Sequence, residues 1–443
     1  MQINPRFLDD FPRQAWLIRG RGRTLDVALG RNVALFEHGF FEGGWARTPG
    51  PEALRPEGIH LGSGAVWGDG RLTLIAPSHS LESVWTAETD GAVWAANSLA
   101  LLVAATRPAD FAIWRRRTVL RTIHRGLSAY RREVFATPEV RICRFANAFV
   151  TLAPDAAPAD RAQCQEATFD SFETYVAFLR DTTAEAMASY GKPASVYLSR
   201  GYDSPATAVL ARQIGPATAI CLDQTAKGND DDGTAIAERL GMPVVSATRR
   251  KRATRTVRAG PWDLALETIA PDDHATTFEF FNGTDISEES MLVPDEVVAD
   301  RAILTGWFGD AIWGFEHPPS PDLQRSTNLA AGTGLADFRL RTGFMHVPIP
   351  ALGFNRAAAI RAIGLSDAMK PWRLGTDYDR PIPRRLVEEA GIPRSWFGMA
   401  KQFTATKAAN LHEIAPLLFD RLVDRYAPAM ETGDLVRRPA ELA

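Results

Sequence analysis

From residue 194 onward the chain alternates short apolar runs with helix-like segments, and few folds accommodate that order. ASVYLS (194–199) reads as a buried strand, SPATAVLARQIG (204–215) as a helix and ATAICLD (217–223) as a second strand. DDGTAIAERLG (231–241) and PVVSAT (243–248) continue as a second helix and a third strand. Ser204 is placed to cap the first helix, with Pro205 in its first turn and Gly215 at its end. Strands alternating with helices imply a parallel sheet with helices on both faces.

The region before this reads differently. NVALF, RLTLIA, SVWTAE and AVWAAN, between residues 32 and 97, are separated by Gly, Ser, Asp and Pro turns, as in hairpins of an antiparallel sheet. ANSLALLVAAT (96–106) reads as a helix. LAPDAAPADRAQ (152–163) reads as a linker and the domain boundary. Phe172, Val176, Leu179, Met187 and Tyr190 then follow helical spacing and predict a long amphipathic helix. The fold class is thus α+β followed by α/β, in a chain whose 443 residues suffice for two or three cored domains.

Composition excludes several functions. A formal net charge of −3 offers no broadly basic surface for nucleic acid. No apolar run approaches 18 residues, so no membrane span is expected, and the first residues lack the apolar core of a signal peptide. Cys143, Cys164 and Cys221 form no CxxC pair, which argues against a zinc site or disulfide framework and for the reducing cytoplasm. Seven arginines between 115 and 132 form either a solvated face or a patch for phosphate or carboxylate.

Two loops carry the chemistry. The first, S-R-G-Y-D-S (199–204), follows a strand and opens a helix, where free N–H groups point at a ligand. Gly201 lets the backbone come close, and Ser199 and Ser204 supply hydroxyls. Asp203 would repel bare phosphate, so its best use there is to hold magnesium. The second, in RAILTGWFGDAIWG (301–314), again leads from an apolar strand into glycines and a single Asp310. Each alone also reads as an ordinary turn with a capped helix; together they describe a two-loop site.

The first loop resembles the pyrophosphate-binding loop of the ATP pyrophosphatases, written SGGxDS. The Walker A pattern is absent. Within that superfamily the second loop resembles the [ST]-G-x-G-x-D stretch of asparagine synthetase and β-lactam synthetase. Thr305, Gly306 and Asp310 match, while Trp307, Phe308 and Gly309 lie between them with the second glycine displaced by one. IPRSWFGMAKQFTATK (392–407) resembles a later stretch of asparagine synthetase, with Lys401 before Gln402 and Phe403. Residues 74–105 are similar in order, though not in polar residues, to its glutaminase half.

The resemblance implies a degenerate glutaminase-like domain of the Ntn-hydrolase type over 1–155, a β-sandwich, and a synthetase domain over 164–443. It implies ATP and Mg2+ as cofactors, with Asp203 and Asp310 as metal ligands. Leu198, Ser199, Arg200, Gly201, Ser204, Leu222, Thr305, Gly306 and Trp307 would line the nucleotide. The implied reaction is adenylation of a small-molecule or peptide carboxylate, then displacement of AMP by an amine, with Lys401 neutralising charge on the α-phosphate. A homodimer is one arrangement left open; nucleic acid and membrane partners are not expected.

Three departures matter. The glutaminase nucleophile is a cysteine at residue 2, and here that residue is Gln2, so glutamine should yield no ammonia. Arg200 stands where the loop usually has glycine, so it should either adopt an unusual backbone angle or bring a cation to the phosphates. Trp307 stands where the family has Glu or Tyr, and an indole N–H donates only. Either no enzyme base is needed, or Asp272, Asp273, Glu279 or Glu316 substitutes, or the second half-reaction differs. Arg373, Arg380, Arg384, Arg385 and Arg394 either bind a substrate carboxylate or pair with Glu388, Glu389 and Asp379. The nearby aromatics, from Trp372 to Phe403, read as core. A nucleotide-binding pseudoenzyme that binds a partner protein is the rival reading. Sulfur transfer to tRNA would want a cysteine pair and a basic surface.

Overall fold

The computed structural model describes residues 2–89, 91–153, 156–222, 231–247, 295–316, 318–324, 336–376, 378–399, 423–424, 426–431 and 435. The N-terminal half contains the strands β1 (Gln2–Phe7), β2 (Trp16–Arg21), β3 (Thr24–Leu29), β4 (Ala34–Phe36), β5 (Gly39–Ala46), β6 (Ile59–Gly68) and β7 (Arg71–Ile75). It continues with β8 (Val84–Thr89), β9 (Ala92–Ala96), β10 (Glu133–Ala136), β11 (Val140–Phe145), β12 (Ala148–Ala153) and β13 (Ala156–Ala162). They form two sheets, ordered β1-β3-β2-β9-β8-β11-β10 and β13-β12-β7-β6-β5-β4. Pairing is antiparallel except between β1 and β3. Trp16, Val27, Phe40, Leu74, Val84 and Val150 share one core drawn from both sheets, as period-two alternation requires. Helix α1 (Leu99–Thr106) forms as expected, capped by the Ser98 side chain on the Leu101 N–H, and α2 (Ile113–Leu120) follows it.

The linker expected over 152–163 is instead mostly strand. β13 pairs with β12 from Ala148↔Ala162 to Ala153↔Ala156, with an irregularity between Thr151 and Ala153. Its Pro/Ala/Asp composition mimics a linker because β13 is an edge strand: proline is tolerated where one side needs no ladder bonds, and polar residues protect the open edge.

Helix α3 (Phe172–Tyr190) starts with a Ser171/Thr174 capping box and ends at Gly191, whose φ of 67° suits a residue without Cβ. Then come β14 (Ala194–Leu198), α4 (Asp203–Ile214), β15 (Ala217–Leu222), α5 (Thr234–Arg239), β16 (Val244–Ala247), β17 (Ala302–Thr305) and β18 (Met345–Pro348). The five strands pair in parallel in the order β16-β15-β14-β17-β18. Alternation again sorts the faces. Val196, Leu198, Ala219, Cys221 and Leu304 join the core that holds α3 and α4. Ile220 and Ile303 face the other way, into a cluster shared with Leu101 and Val103 of α1. One face of the parallel sheet is thus closed with help from the N-terminal half. Among the described residues no helix is long and apolar enough to cross a membrane.

The junction of the halves buries charge. Arg339, on the Ala336–Thr342 helix, donates to both Glu42 carboxylate oxygens at 2.7 and 2.8 Å and to Glu82 at 2.7 Å. Two histidines lie beside it, with His79 and His346 ring centroids 6.5 Å apart. Burial, and then the Arg339 charge, push His346 down to about 3. Burial also pushes His60 down to about 4, against its hydrogen bond with Gln163. Unfolded, such histidines take a proton near pH 6.5; folded, they stay neutral far lower. Stability therefore falls as pH drops below about 6.5, by up to about 1.4 kcal/mol per pH unit for each. In His346→Gln, the loss of unfolding free energy between pH 7 and pH 5 should be about 2 kcal/mol smaller than in the wild type. Urea denaturation at both pH values reads the difference; equal losses would refute it.

Candidate functional site

β14 ends at Leu198 and delivers the first loop to the carboxyl edge of the sheet. The Ser199 N–H donates to Ser204 Oγ at 3.0 Å, and the two hydroxyls lie 2.9 Å apart. Ser204 therefore closes the loop rather than capping the helix: α4 begins one residue earlier, at Asp203, and Tyr202 at the cap position makes no side-chain cap bond. A short polar side chain can serve either purpose, and here the loop amide is its partner.

Arg200 does not take the unusual backbone angle. It is not among the residues with positive φ. Its N–H donates to Asp231 at 3.0 Å, and its Nε to the Trp396 carbonyl at 3.1 Å. The Gly398 N–H donates to the Arg200 carbonyl at 2.8 Å, so the loop is strapped to residues 396–398.

β17 delivers the second loop against the first. A Cβ on Gly306 would lie 2.6 Å from Asp203 Cβ and 2.7 Å from its backbone carbon. A Cβ on Gly309 would lie 2.5 and 2.7 Å from the Asp203 carboxylate oxygens. Two glycines are therefore what lets the loops meet at Asp203. Between them Phe308 has φ of 68°, in the left-handed region, with its ring buried. This is the position where the pattern [ST]-G-x-G-x-D has glycine, so the displaced glycine leaves a phenylalanine in a conformation costing about 1–2 kcal/mol. Its carbonyl accepts the N–H groups of Ala311 and Ile312 at 2.9 Å, turning the chain into the Gly309–Ile312 helix that carries Asp310.

Thr305 and Trp307 are engaged by β18. Thr305 Oγ1 lies 2.7 Å from His346 Nε2, and Trp307 meets the His346 ring edge-on at 5.5 Å. Thr305 is buried, with its hydroxyl turned to His346.

Arg380 sets the electrostatics. It stands just before the Pro381–Glu389 helix, 177 residues from Asp203, and donates from Nη1 to Asp203 Oδ2. Glu316 lies 4.0 Å from its Nη2. Burial raises the Asp203 carboxyl above its ordinary range; Arg380 opposes this, while Asp310 and Glu316 reinforce it. Burial alone would lower Arg380, yet Asp203 and then Asp310 hold it above the usual arginine value. Asp203 Oδ1 and Arg380 Nε are buried without hydrogen-bond partners among the described residues. Beside the pair, the Tyr202 and Tyr378 rings lie 4.8 Å apart; Arg380 sits over Tyr378 at 5.2 Å and Arg384 over Tyr202 at 4.9 Å.

The structure thus gathers Leu198, Ser199, Arg200, Gly201, Asp203, Ser204, Gly306 and Asp310 at one sheet edge. Leu222 ends the neighbouring β15, in register with Ala247. Lys401, Gln402, Phe403, Asp272, Asp273 and Glu279 lie outside the described residues. Of the C-terminal arginines, Arg385 pairs with Glu173 and Glu389, Arg384 and Arg394 with Glu388, and Arg373 donates to the Leu365 carbonyl. Asp379 pairs with none of these and accepts the Leu374 and Gly375 N–H groups. Of the five, Arg380 reaches the loop carboxylate of Asp203, and Arg384 stacks on Tyr202 of the same loop. The roles of Arg380, Tyr202 and Asp231 escaped sequence reading, because no spacing links them to the loops they complete.

Magnesium fits this donor set in one manner. Among the described residues no three His, Cys, Asp or Glu side chains converge to hold a metal alone. The orphaned Asp203 Oδ1 offers one oxygen, and magnesium commonly binds one or two carboxylates while substrate phosphates and water complete its shell.

No family model and no curated protein matches the chain. Among solved structures, an NAD+ synthetase from Burkholderia pseudomallei is similar at 16% identity and a TM-score of 0.26, over 60% of this chain and 91% of that one. A glutamine-dependent NAD+ synthetase from Acinetobacter baumannii, in complex with ADP, gives 14% identity and a TM-score of 0.25, over 57% of this chain and 40% of that one. Neither likeness, at scores this low, bears on the chain's fold or activity.

Proposed function

We propose that the chain is an ATP- and magnesium-dependent, AMP-forming ligase that adenylates a carboxylate and joins it to an amine without drawing ammonia from glutamine. The observation that carries this reading is the meeting of two strand-end loops at Asp203, with Gly306 and Gly309 making room for it. The loop amides, the Ser199 and Ser204 hydroxyls and the start of α4 favour an anion such as departing pyrophosphate. Asp203 and Asp310 would hold magnesium, which neutralises phosphate charge when bound. Lys401 keeps the role that the asparagine synthetase resemblance gives it. Glu316, close to Arg380, is the candidate proton acceptor within the described residues, since Trp307 has no basic atom. Residues 1–155 are read as a degenerate glutaminase-like domain: Gln2 is exposed on the edge strand β1 and carries no nucleophile.

One observation favours the rival reading of a nucleotide-binding scaffold: Arg380 already holds an oxygen of the expected metal ligand. Pyrophosphate exchange decides between them. Labelled pyrophosphate should enter ATP in the presence of a panel of carboxylates, and Asp203→Ala should abolish the exchange. No exchange with any acid, together with ATP binding indifferent to magnesium, would leave the scaffold.

A further inference from the structure

We propose that Arg380 is a placeholder for the divalent cation: it holds Asp203 in the ligand-free chain and passes to an anionic ligand oxygen when a metal ion takes that carboxylate. This rests on the nucleotide-site reading and adds to it a positioning residue and the order of occupation.

The contact is built to be exchanged. An arginine and a carboxylate satisfy one another best as a two-bond fork. Here the partners touch through Nη1 and Oδ2, while Asp203 Oδ1 and Arg380 Nε stay buried without hydrogen-bond partners among the described residues. Each group thus keeps one position that a metal ion, or an anion, would fill. Burial is lopsided as well: the Arg380 side chain is 4% exposed and that of Asp203 21%, so the carboxylate is the less covered member of the pair. Asp310 and Glu316 add negative potential at the same point, which favours a doubly charged ion over a single guanidinium.

Arg380 also has a route to a new partner. Its guanidinium lies over the Tyr378 ring, and a cation over an aromatic face slides without a fixed hydrogen bond to break. The Tyr378 hydroxyl lies 3.9 Å from where a Cβ on Gly201 would stand, so the ring spans the gap from Asp203's partner to the anion-binding loop. A guanidinium released along that ring stays beside the loop proposed for phosphate.

Manganese binding to the nucleotide-free, full-length protein tests this, with free Mn2+ read by electron paramagnetic resonance. Arg380→Gln should bind Mn2+ more tightly than the wild type by on the order of tenfold or more, because the competing charge is gone. Adding Asp203→Asn should erase that gain. Arg380→Met, which keeps an apolar stem on Tyr378, should give the same result and serves if the glutamine variant does not fold. The gain should come with weaker ATP binding, since the cation meant for the anion is lost. Unchanged or weaker Mn2+ affinity in a folded neutral variant overturns the proposal. Magnesium-dependent ATP binding by the wild type, in the same samples, tests the underlying reading separately. If that binding persists while Mn2+ affinity does not move, the placeholder alone falls; if it is absent, both fall.

Discussion

Replacing Gly309 with alanine should silence the site while leaving the fold standing. The new methyl would lie 2.5 and 2.7 Å from the Asp203 carboxylate oxygens, closer than any real contact allows, so the carboxylate must leave its place. It cannot yield by a small rotation, because Arg380 holds Oδ2 and α4 starts at its own backbone. A displacement of about 1 Å at a reacting centre costs on the order of 100-fold in rate, and turnover or pyrophosphate exchange should fall at least that far. The backbone of Gly309 is helical, so alanine is conformationally acceptable there and the thermal midpoint should move by no more than a few degrees. Gly306→Ala should behave oppositely. Its methyl would strike the Asp203 backbone carbon at 2.7 Å and the Ser204 nitrogen at 2.9 Å, so the loops themselves must part, at about 1–3 kcal/mol of stability. The two contacts share one partner, so Gly309→Ala should add nothing to Asp203→Ala. Full exchange activity in Gly309→Ala would show that Asp203 does not act at the site.

The split between those glycines also shows what was legible in the sequence. The strand–helix alternation from 194 to 247 was readable because a parallel strand buried on both faces must be apolar throughout, and each helix carries its own start and stop. The paired loops were readable because glycine and a lone aspartate after a buried strand have few uses. What joins the loops was not. Arg380 lies 177 residues from Asp203, and nothing in its neighbourhood separates it from Arg385 or Arg394, which pair with surface glutamates. The left-handed turn at Phe308 was equally hidden, since sequence patterns look there for glycine. The edge strand β13 passed for a linker because an edge accepts the residues that end a strand elsewhere. Local pattern reports local backbone; long-range charge pairing leaves no such mark.

Arg339→Met should unfold the protein far more readily, by about 3–5 kcal/mol, the usual cost of removing one member of a buried charge cluster. Arg339 is 2% exposed, and it gives hydrogen bonds to Glu42, Glu82, Gln14 and the Phe344 carbonyl. Glu42 lies on β5 and Glu82 just before β8, whereas Arg339 lies on the helix leading to β18, so the cluster joins the N-terminal sheets to the parallel sheet. Methionine fills the stem's volume, so the loss reads the stranded carboxylates rather than a cavity. Even with Arg339 present, burial raises the Glu82 carboxyl, with Arg339 opposing and Glu42 adding to the rise. Without the arginine that opposes this rise, Glu82 should hold a proton to higher pH. A carboxyl whose folded pKa exceeds its unfolded value stabilises the fold below the unfolded pKa and loses that contribution as pH rises through the folded one. The deficit of Arg339→Met should therefore be smaller at pH 5 than at pH 8. Adding Glu42→Gln and Glu82→Gln should recover most of it, because amides cost less to bury than unpaired charges. Urea unfolding of the wild type, Arg339→Met and the triple variant at both pH values reads all three terms. A deficit that ignores pH and is not recovered by the amides would mean that packing, rather than charge, makes Arg339 the joint between the halves.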